Sequence, residues 1–196
     1  MNKLKKHDVV LPSMDQISAE RERIKHKHAY RKALIGTIDV LLIVAAIAVL
    51  ISTLFLPVLQ ITGDSMEPAL YQGQIIVLVK SDHFKTGEVC SFTWNNRTLV
   101  KRVIADSGDW VEIDKDGQVY VNGEAIDEPY VKEKALGECD LTFPYQVPED
   151  AIFVMGDHRE TSIDSRSTVI GSVHHEQVIG KALFRVWPLK DFGRIR

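Results

Sequence analysis

Val40–Leu59 reads VLLIVAAIAVLISTLFLPVL, twenty residues without a charge. As an α-helix rising about 1.5 Å per residue, this run reaches roughly 30 Å, the hydrocarbon thickness of a bilayer. It is apolar all round, whereas a core helix in a domain this small is amphipathic. Ala33-Leu34-Ile35-Gly36 extends the stretch toward the N-terminus, and Asp39 is its single charged interruption. Asp39 is expected near the inner interface with its carboxylate reaching water. More than thirty mostly polar residues precede the run, and no Ala-x-Ala-like site follows Leu59, which speaks against a cleavable signal peptide.

The charge balance changes at the same point. Residues 1–59 hold nine Lys/Arg against five Asp/Glu, and residues 60–196 hold fifteen against twenty-two. Arg21, Arg23, Lys25, Lys27, Arg31 and Lys32 gather just before the run. The positive-inside rule then keeps the N-terminus in the cytoplasm and exports everything after Leu59. The expected organisation is a cytoplasmic basic segment over 1–34, a transmembrane helix over 35–59 and an extracytoplasmic domain over 60–196. The acidic body lacks the basic patch that nucleic acid requires. Cys90 and Cys139 both fall in the exported part, where a disulfide persists, but sequence leaves their pairing open.

Beyond Leu59 the pattern turns to short β segments separated by turn residues. Gln74–Lys80 (QIIVLVK), Glu88–Thr93, Thr98–Ile104, Trp110–Ile113, Gln118–Val121, Ala151–Met155 and Gln177–Trp187 read as strands. Asp116-Gly117 and Asn122-Gly123 are hairpin signals, because these residues tolerate positive φ. Only Ala19–Tyr30 and the membrane run read as helical. Short, regularly spaced strands predict a mainly β, antiparallel, barrel-like body. Glu124–Gln146, polar and containing Pro129 and Pro144, reads as a surface excursion.

The usual catalytic signatures are missing: no Gly-x-Ser-x-Gly, Ser-x-x-Lys, His-Glu-x-x-His or phosphate loop occurs. His174-His175-Glu176 predicts no metal site, since adjacent strand residues point to opposite faces. Three pieces remain. Thr62-Gly63-Asp64-Ser65-Met66-Glu67-Pro68 lies between the run and the first strand and can expose the Ser65 hydroxyl in a tight turn, although these seven residues alone favour a plain turn. In Leu99-Val100-Lys101-Arg102-Val103-Ile104, Lys101 shares a strand face with Leu99 and Val103. Burial on that face lowers a lysine pKa and yields a neutral amine able to take a proton from serine; a lysine that snorkels to solvent does neither. Lastly, a strand ending at Met155 runs into a loop holding Asp157, Arg159, Ser162, Asp164 and Arg166. The dense alternation of charge predicts a hydrogen-bonded network there.

In this order the pieces resemble the bacterial type I signal peptidases, the leader peptidases of the Ser–Lys kind. The likeness spans the apolar run, Gly63–Leu70, Gln74–Val79, Val100–Ile113, Val119–Tyr130 and Val147–Ser172, and its single span and Gly-Asp-Ser-Met form look like the Gram-positive branch. The resemblance implies that Ser65 is the nucleophile, Lys101 the general base and Ser162 a serine that orients the lysine. It implies a structural salt bridge between Asp164 and Arg166, with Asp157 and Arg159 completing the network. Met66 and Pro68 would shape the turn and the substrate groove, and a small β insertion would occupy about Asp114–Gln146. It further implies exported preproteins as substrates, cut after small residues at the first and third positions before the bond, with membrane lipid and the export machinery as neighbours. No cofactor and no metal are implied. The sequence departs from the family's pattern at Ala105-Asp106-Ser107-Gly108-Asp109, at His158, where an Asn is usual, and at Gly63, which offers no hydroxyl for an oxyanion hole.

Overall fold

The computed structural model describes residues 13–81 and 83–195. It divides into two compact units, residues 1–50 and 51–196. Helix α1 is continuous from Met14 to Phe55, where the sequence pattern predicts two separate helical stretches. The connecting residues 31–39 contain no proline and only one glycine, so nothing breaks the hydrogen-bond ladder. A capping box starts the helix: Gln16 N–H donates to Ser13 Oγ at 3.3 Å, and Ser13 N–H donates to Gln16 Oε1 at 3.0 Å. Pro57 lies just beyond the other end, and the chain leaves the helix after Phe55 rather than at the expected Leu59. Among the described residues α1 is the one helix long and apolar enough to cross a membrane, and the protein buries none of its most apolar stretch.

The second unit is built of short strands: β1 (Val58–Gln60), β2 (Ile75–Val79), β3 (Val89–Trp94), β4 (Arg97–Ala105), β5 (Trp110–Ile113), β6 (Val119–Val121), β7 (Glu124–Ala125), β8 (Tyr145–Gln146), β9 (Ala151–Met155), β10 (Val173–His174), β11 (Val178–Trp187) and β12 (Gly193–Arg194). The longer ones lie where alternation and β-branched runs predict them. The strands missed, β1, β7, β8, β10 and β12, have two or three residues and carry no period to read. Every pairing is antiparallel. The larger sheet runs β1-β2-β11-β3-β4-β9-β10, with β12 beside β11, and the smaller runs β7-β6-β5-β8. The body is therefore an open pair of sheets and not a closed barrel; its outermost strands, β1 and β10, are too short to pair around a circumference.

The core explains why β9 shows no polar alternation. All five of its residues are buried. Ala151, Phe153 and Met155 pack with Ile104, Val111 and Val119 on one face, while Ile152 and Val154 pack with Cys90, Phe92 and Val103 on the other. Strand β4 passes from exposed Arg97 to five consecutive buried residues, Lys101 to Ala105. Two charged side chains are thereby carried into the interior next to each other.

Candidate active site

Ser65 sits in the turn linking β1 to β2. Gly73 N–H donates to the Ile61 carbonyl at 2.9 Å and Ile61 N–H to the Gln74 carbonyl at 2.8 Å, closing the loop at its base. Met66, 2% exposed, packs with Leu70, Ile76 and Leu78 and anchors the turn. Pro68 is exposed beside it and follows a cis peptide bond. Gly63 has φ of 84°, a left-handed backbone that a serine would adopt only under strain, so the missing hydroxyl has a conformational reason. The Ser65 carbonyl accepts a hydrogen bond from His158 N–H at 3.1 Å.

Lys101 faces Cys90 across the β3–β4 ladder and is 4% exposed. Its ammonium donates to Ser162 Oγ at 2.7 Å. Burial lowers the Lys101 pKa to about 8; Arg166 adds to the lowering, while Asp164, Asp157 and Asp64 partly oppose it. Ser162 is fully buried and is held in turn by its own N–H, which donates to the His158 carbonyl at 3.1 Å. Gly156 makes this approach possible. A Cβ at that position would collide with Ser162 Oγ and come within 2.6 Å of the Ser65 carbonyl oxygen. Glycine at 156 thus lets the Ser65 turn, the Ser162 loop and β9 meet.

Behind these residues the predicted charge network is real but wired differently from the expectation. Asp164 and Arg166 pair within the loop through Nε–Oδ1 and Nη2–Oδ2 bonds of 2.8 and 2.9 Å. Burial alone would raise the Asp164 carboxyl. The Arg166 hydrogen bonds and charge, the Gly156 N–H at 2.9 Å and the Lys101 charge outweigh it and hold Asp164 below the usual carboxylate range. Asp157 and Arg159 reach outside the loop. Asp157 takes a forked pair of bonds, 2.7 and 2.6 Å, from Arg102 on β4, and Arg159 pairs with Glu128. Arg102 also donates to the Gly87 carbonyl at 2.6 Å and lies 3.9 Å from the centre of the Tyr130 ring.

Glu128 and Tyr130 belong to the segment read as a surface excursion, which is corrected here: Glu128 is 5% exposed, and Arg166 donates to the Leu136 carbonyl at 2.6 Å. No local pattern in the sequence singles out Glu128; with Arg102, Arg159 and Arg166 all buried beside only Asp157 and Asp164, it supplies the third carboxylate that the three guanidiniums require. His174 is exposed as expected, but His175 stacks edge-on against Phe84, with its ring nitrogens 3.8 Å from Asp106 and 4.0 Å from Asp150. Cys90 and Cys139 are both free thiols. Among the described residues no group of three or more His, Cys, Asp or Glu side chains is arranged to hold a metal.

Ser65 and Lys101 line one cavity of about 110 Å³ together with Leu59, Ile61, Met66 and Leu99. It holds a serine hydroxyl, a buried amine and apolar walls. A family model described as signal peptidase, peptidase S26, matches residues 34–187. Signal peptidase I of Bacillus amyloliquefaciens is 31% identical over 183 residues, covering 88% of this chain and 98% of that protein. Signal peptidase IB of Staphylococcus aureus (strain COL) is 36% identical over 152 residues, 67% of this chain and 78% of that one. The crystal structure of a signal peptidase I from Enterococcus faecalis V583 aligns at 28% identity with a TM-score of 0.43, covering 50% of this chain and 96% of that one. The chain belongs to the signal peptidase family, peptidase S26, and is a serine peptidase of the signal peptidase I kind.

Proposed function

We propose that this enzyme removes N-terminal signal peptides from exported preproteins, with Ser65 as nucleophile and Lys101 as general base. The observation that carries this reading is Lys101: a buried amine lowered to about 8, bonded to a neutral hydroxyl and lining the same cavity as Ser65. A base acts best when its pKa lies near working pH, and burial brings Lys101 there.

In the first half-reaction Lys101 Nζ takes the Ser65 proton as Oγ attacks the scissile carbonyl. Ser65 N–H stabilises the developing oxyanion, a contribution worth roughly 3–4 kcal/mol per donor in other enzymes. The Lys101 ammonium then protonates the leaving amine, the mature chain departs, and an ester joins the signal peptide to Ser65. Water, deprotonated by the same amine, hydrolyses the ester and frees both. Ser162 keeps Nζ in position through both steps. Leu59, Ile61, Leu99 and Val100 give the cavity walls that accept small residues at the first and third positions before the cut. The substrate runs extended along the adjoining strand, where main-chain pairing sets its register.

The apolar part of α1 crosses the membrane. The basic segment before it lies in the cytoplasm, and residues 60–196 form the extracytoplasmic catalytic domain, close to lipid and to the export machinery. Tethering enzyme and preprotein to one bilayer raises their effective concentration. The test is cleavage of a preprotein by the purified full chain in lipid vesicles. Ser65→Ala and Lys101→Ala should each abolish it; near-wild-type cleavage by either variant sinks the assignment.

A further inference from the structure

A second concavity adjoins the first at consecutive residues: Met66 lines one, and Glu67 and Pro68 line the other. It measures about 260 Å³ and is walled by Tyr71, residues 132–135, Asp157, His158 and Glu160. Its His158 N–H is the group that holds the Ser65 carbonyl. If the apolar cavity takes the residues before the cut, the chain after the cut leaves past Glu67 and Pro68 into this one. That step rests on the reading given under Proposed function.

The chemistry of the second cavity differs from that of the first. Glu67, Glu133 and Glu160 face two lysines, Lys132 and Lys134. Lys134 turns one ammonium bond to Gln118, outside the cavity, and keeps its charge, so three glutamates stand against two lysines and the lining retains a modest excess of negative charge. Asp157 is neutralised by Arg102. Asp64, 3.9 Å from the His158 ring, adds a further negative charge at the rim nearest Ser65. Pro68 and the half-exposed Tyr71 add apolar lining of the kind along which a lysine or arginine stem lies.

We propose that this cavity is the subsite for the first residues of the mature chain, and that it selects a basic side chain over an acidic one there. Glu67 and Glu160 are its specificity-determining residues, and Tyr71 its stacking surface. Because the lining is largely exposed, the discrimination is modest, about threefold for each step from acidic to neutral to basic, in line with solvent-screened pairs and surface cation–π contacts.

The experiment uses the full chain in detergent micelles and three peptides identical up to the cut, differing only in Arg, Gln or Glu at the second residue after it. The expected order of kcat/KM is Arg, Gln, Glu, spanning about tenfold at low salt and narrowing in about 0.5 M salt, where the Debye length shrinks to a few ångströms. The Glu67→Gln/Glu160→Gln double variant should compress the span to less than about twofold. Equal rates for the three peptides with wild-type enzyme, or an unchanged span in the double variant, overturn the subsite while leaving the peptidase reading in place. No cleavage of any peptide overturns that reading and the subsite with it.

Discussion

Lys101 and Arg102 stand side by side on β4, 4% and 0% exposed, with side chains directed to opposite faces of the strand. Arg102 meets a forked carboxylate from Asp157, the Gly87 carbonyl and the face of Tyr130. Lys101 meets the hydroxyl of Ser162. Both cations have lost water, but only one has been given a counter-ion in direct contact. Asp164 and Asp157 act on Lys101 through space and do not cancel its burial, which is why its amine falls to about 8. A guanidinium cannot give up its proton and so must be matched by charge. A lysine left with a neutral partner becomes a base. One strand therefore carries a cation matched by charge and, in the mechanism proposed above, one that serves as a base, the two distinguished by their partners rather than by depth.

Exchanging the two side chains' chemistry gives the largest effect. Lys101→Arg keeps a cation at the site but removes the capacity to deprotonate. The expected result is a fall in kcat/KM of about 10²- to 10⁴-fold, the usual range for loss of a general base. Peptide cleavage assays on folded protein, checked by circular dichroism, measure it. Activity within tenfold of wild type would mean that proton transfer at Ser65 does not depend on Lys101, and the contrast between the neighbours would lose its chemical half.

Stability should respond in the reverse order. Arg102→Met leaves Asp157 buried without its partner and is expected to cost about 3–5 kcal/mol in urea unfolding. Lys101→Met should do the opposite at neutral pH. A lysine whose folded pKa is below its unfolded value favours the unfolded state wherever it is charged. The penalty is full below pH 8, shrinks as pH rises toward 10.5, and is absent above it. A shift of that size corresponds to about 3 kcal/mol at pH 7, less what is lost with the Ser162 hydrogen bond. Urea curves at several pH values separate the two variants. A destabilised Lys101→Met protein at pH 7 would mean that the ammonium is better compensated than its contacts indicate.

How far this contrast was legible in the sequence depends on the range of each interaction. The apolar run, the longer strands and the dense alternation of charge after Met155 are local patterns, and the structure contains all of them, whereas the particular pairing of Asp164 with Arg166 is what the family resemblance implies. The period-two pattern also put Lys101 and Arg102 on opposite faces. What it could not give is the partner of Arg102, because Asp157 lies 55 residues away and reaches β4 only through the β4–β9 pairing. Glu128 was missed for the same reason: its partner Arg159 is 31 residues distant, and a charged residue in a proline-containing stretch looks solvated until the fold closes over it. The requirement for glycine at 156 was equally hidden, since it comes from two other segments arriving at one point. The continuity of α1 and the end of the helix at Phe55 were near-local, and were misread where propensity is weak and a proline decides.

The finest test concerns the charges that act on Lys101 without touching it. Asp164 raises the Lys101 pKa and Arg166 lowers it, and the two are bonded to each other. Asp164→Asn removes the anion and leaves the guanidinium, so both changes act in the same direction and the amine should titrate lower still. In wild type, kcat/KM should rise with pH through about 8 as the ammonium becomes the free amine. In Asp164→Asn that rising limb should move to lower pH, so that the variant retains a larger share of its own maximum at pH 6 even if the maximum falls through loss of the Gly156 and Arg166 bonds. The position of the limb, and not its height, is the readout, since a purely structural role for Asp164 would lower the plateau and leave the midpoint where it was. A midpoint that stays fixed would mean that burial alone sets the Lys101 amine and that the surrounding charge network serves only to hold the loop, and one that moves upward would mean that the sign assigned to the Asp164 charge is wrong.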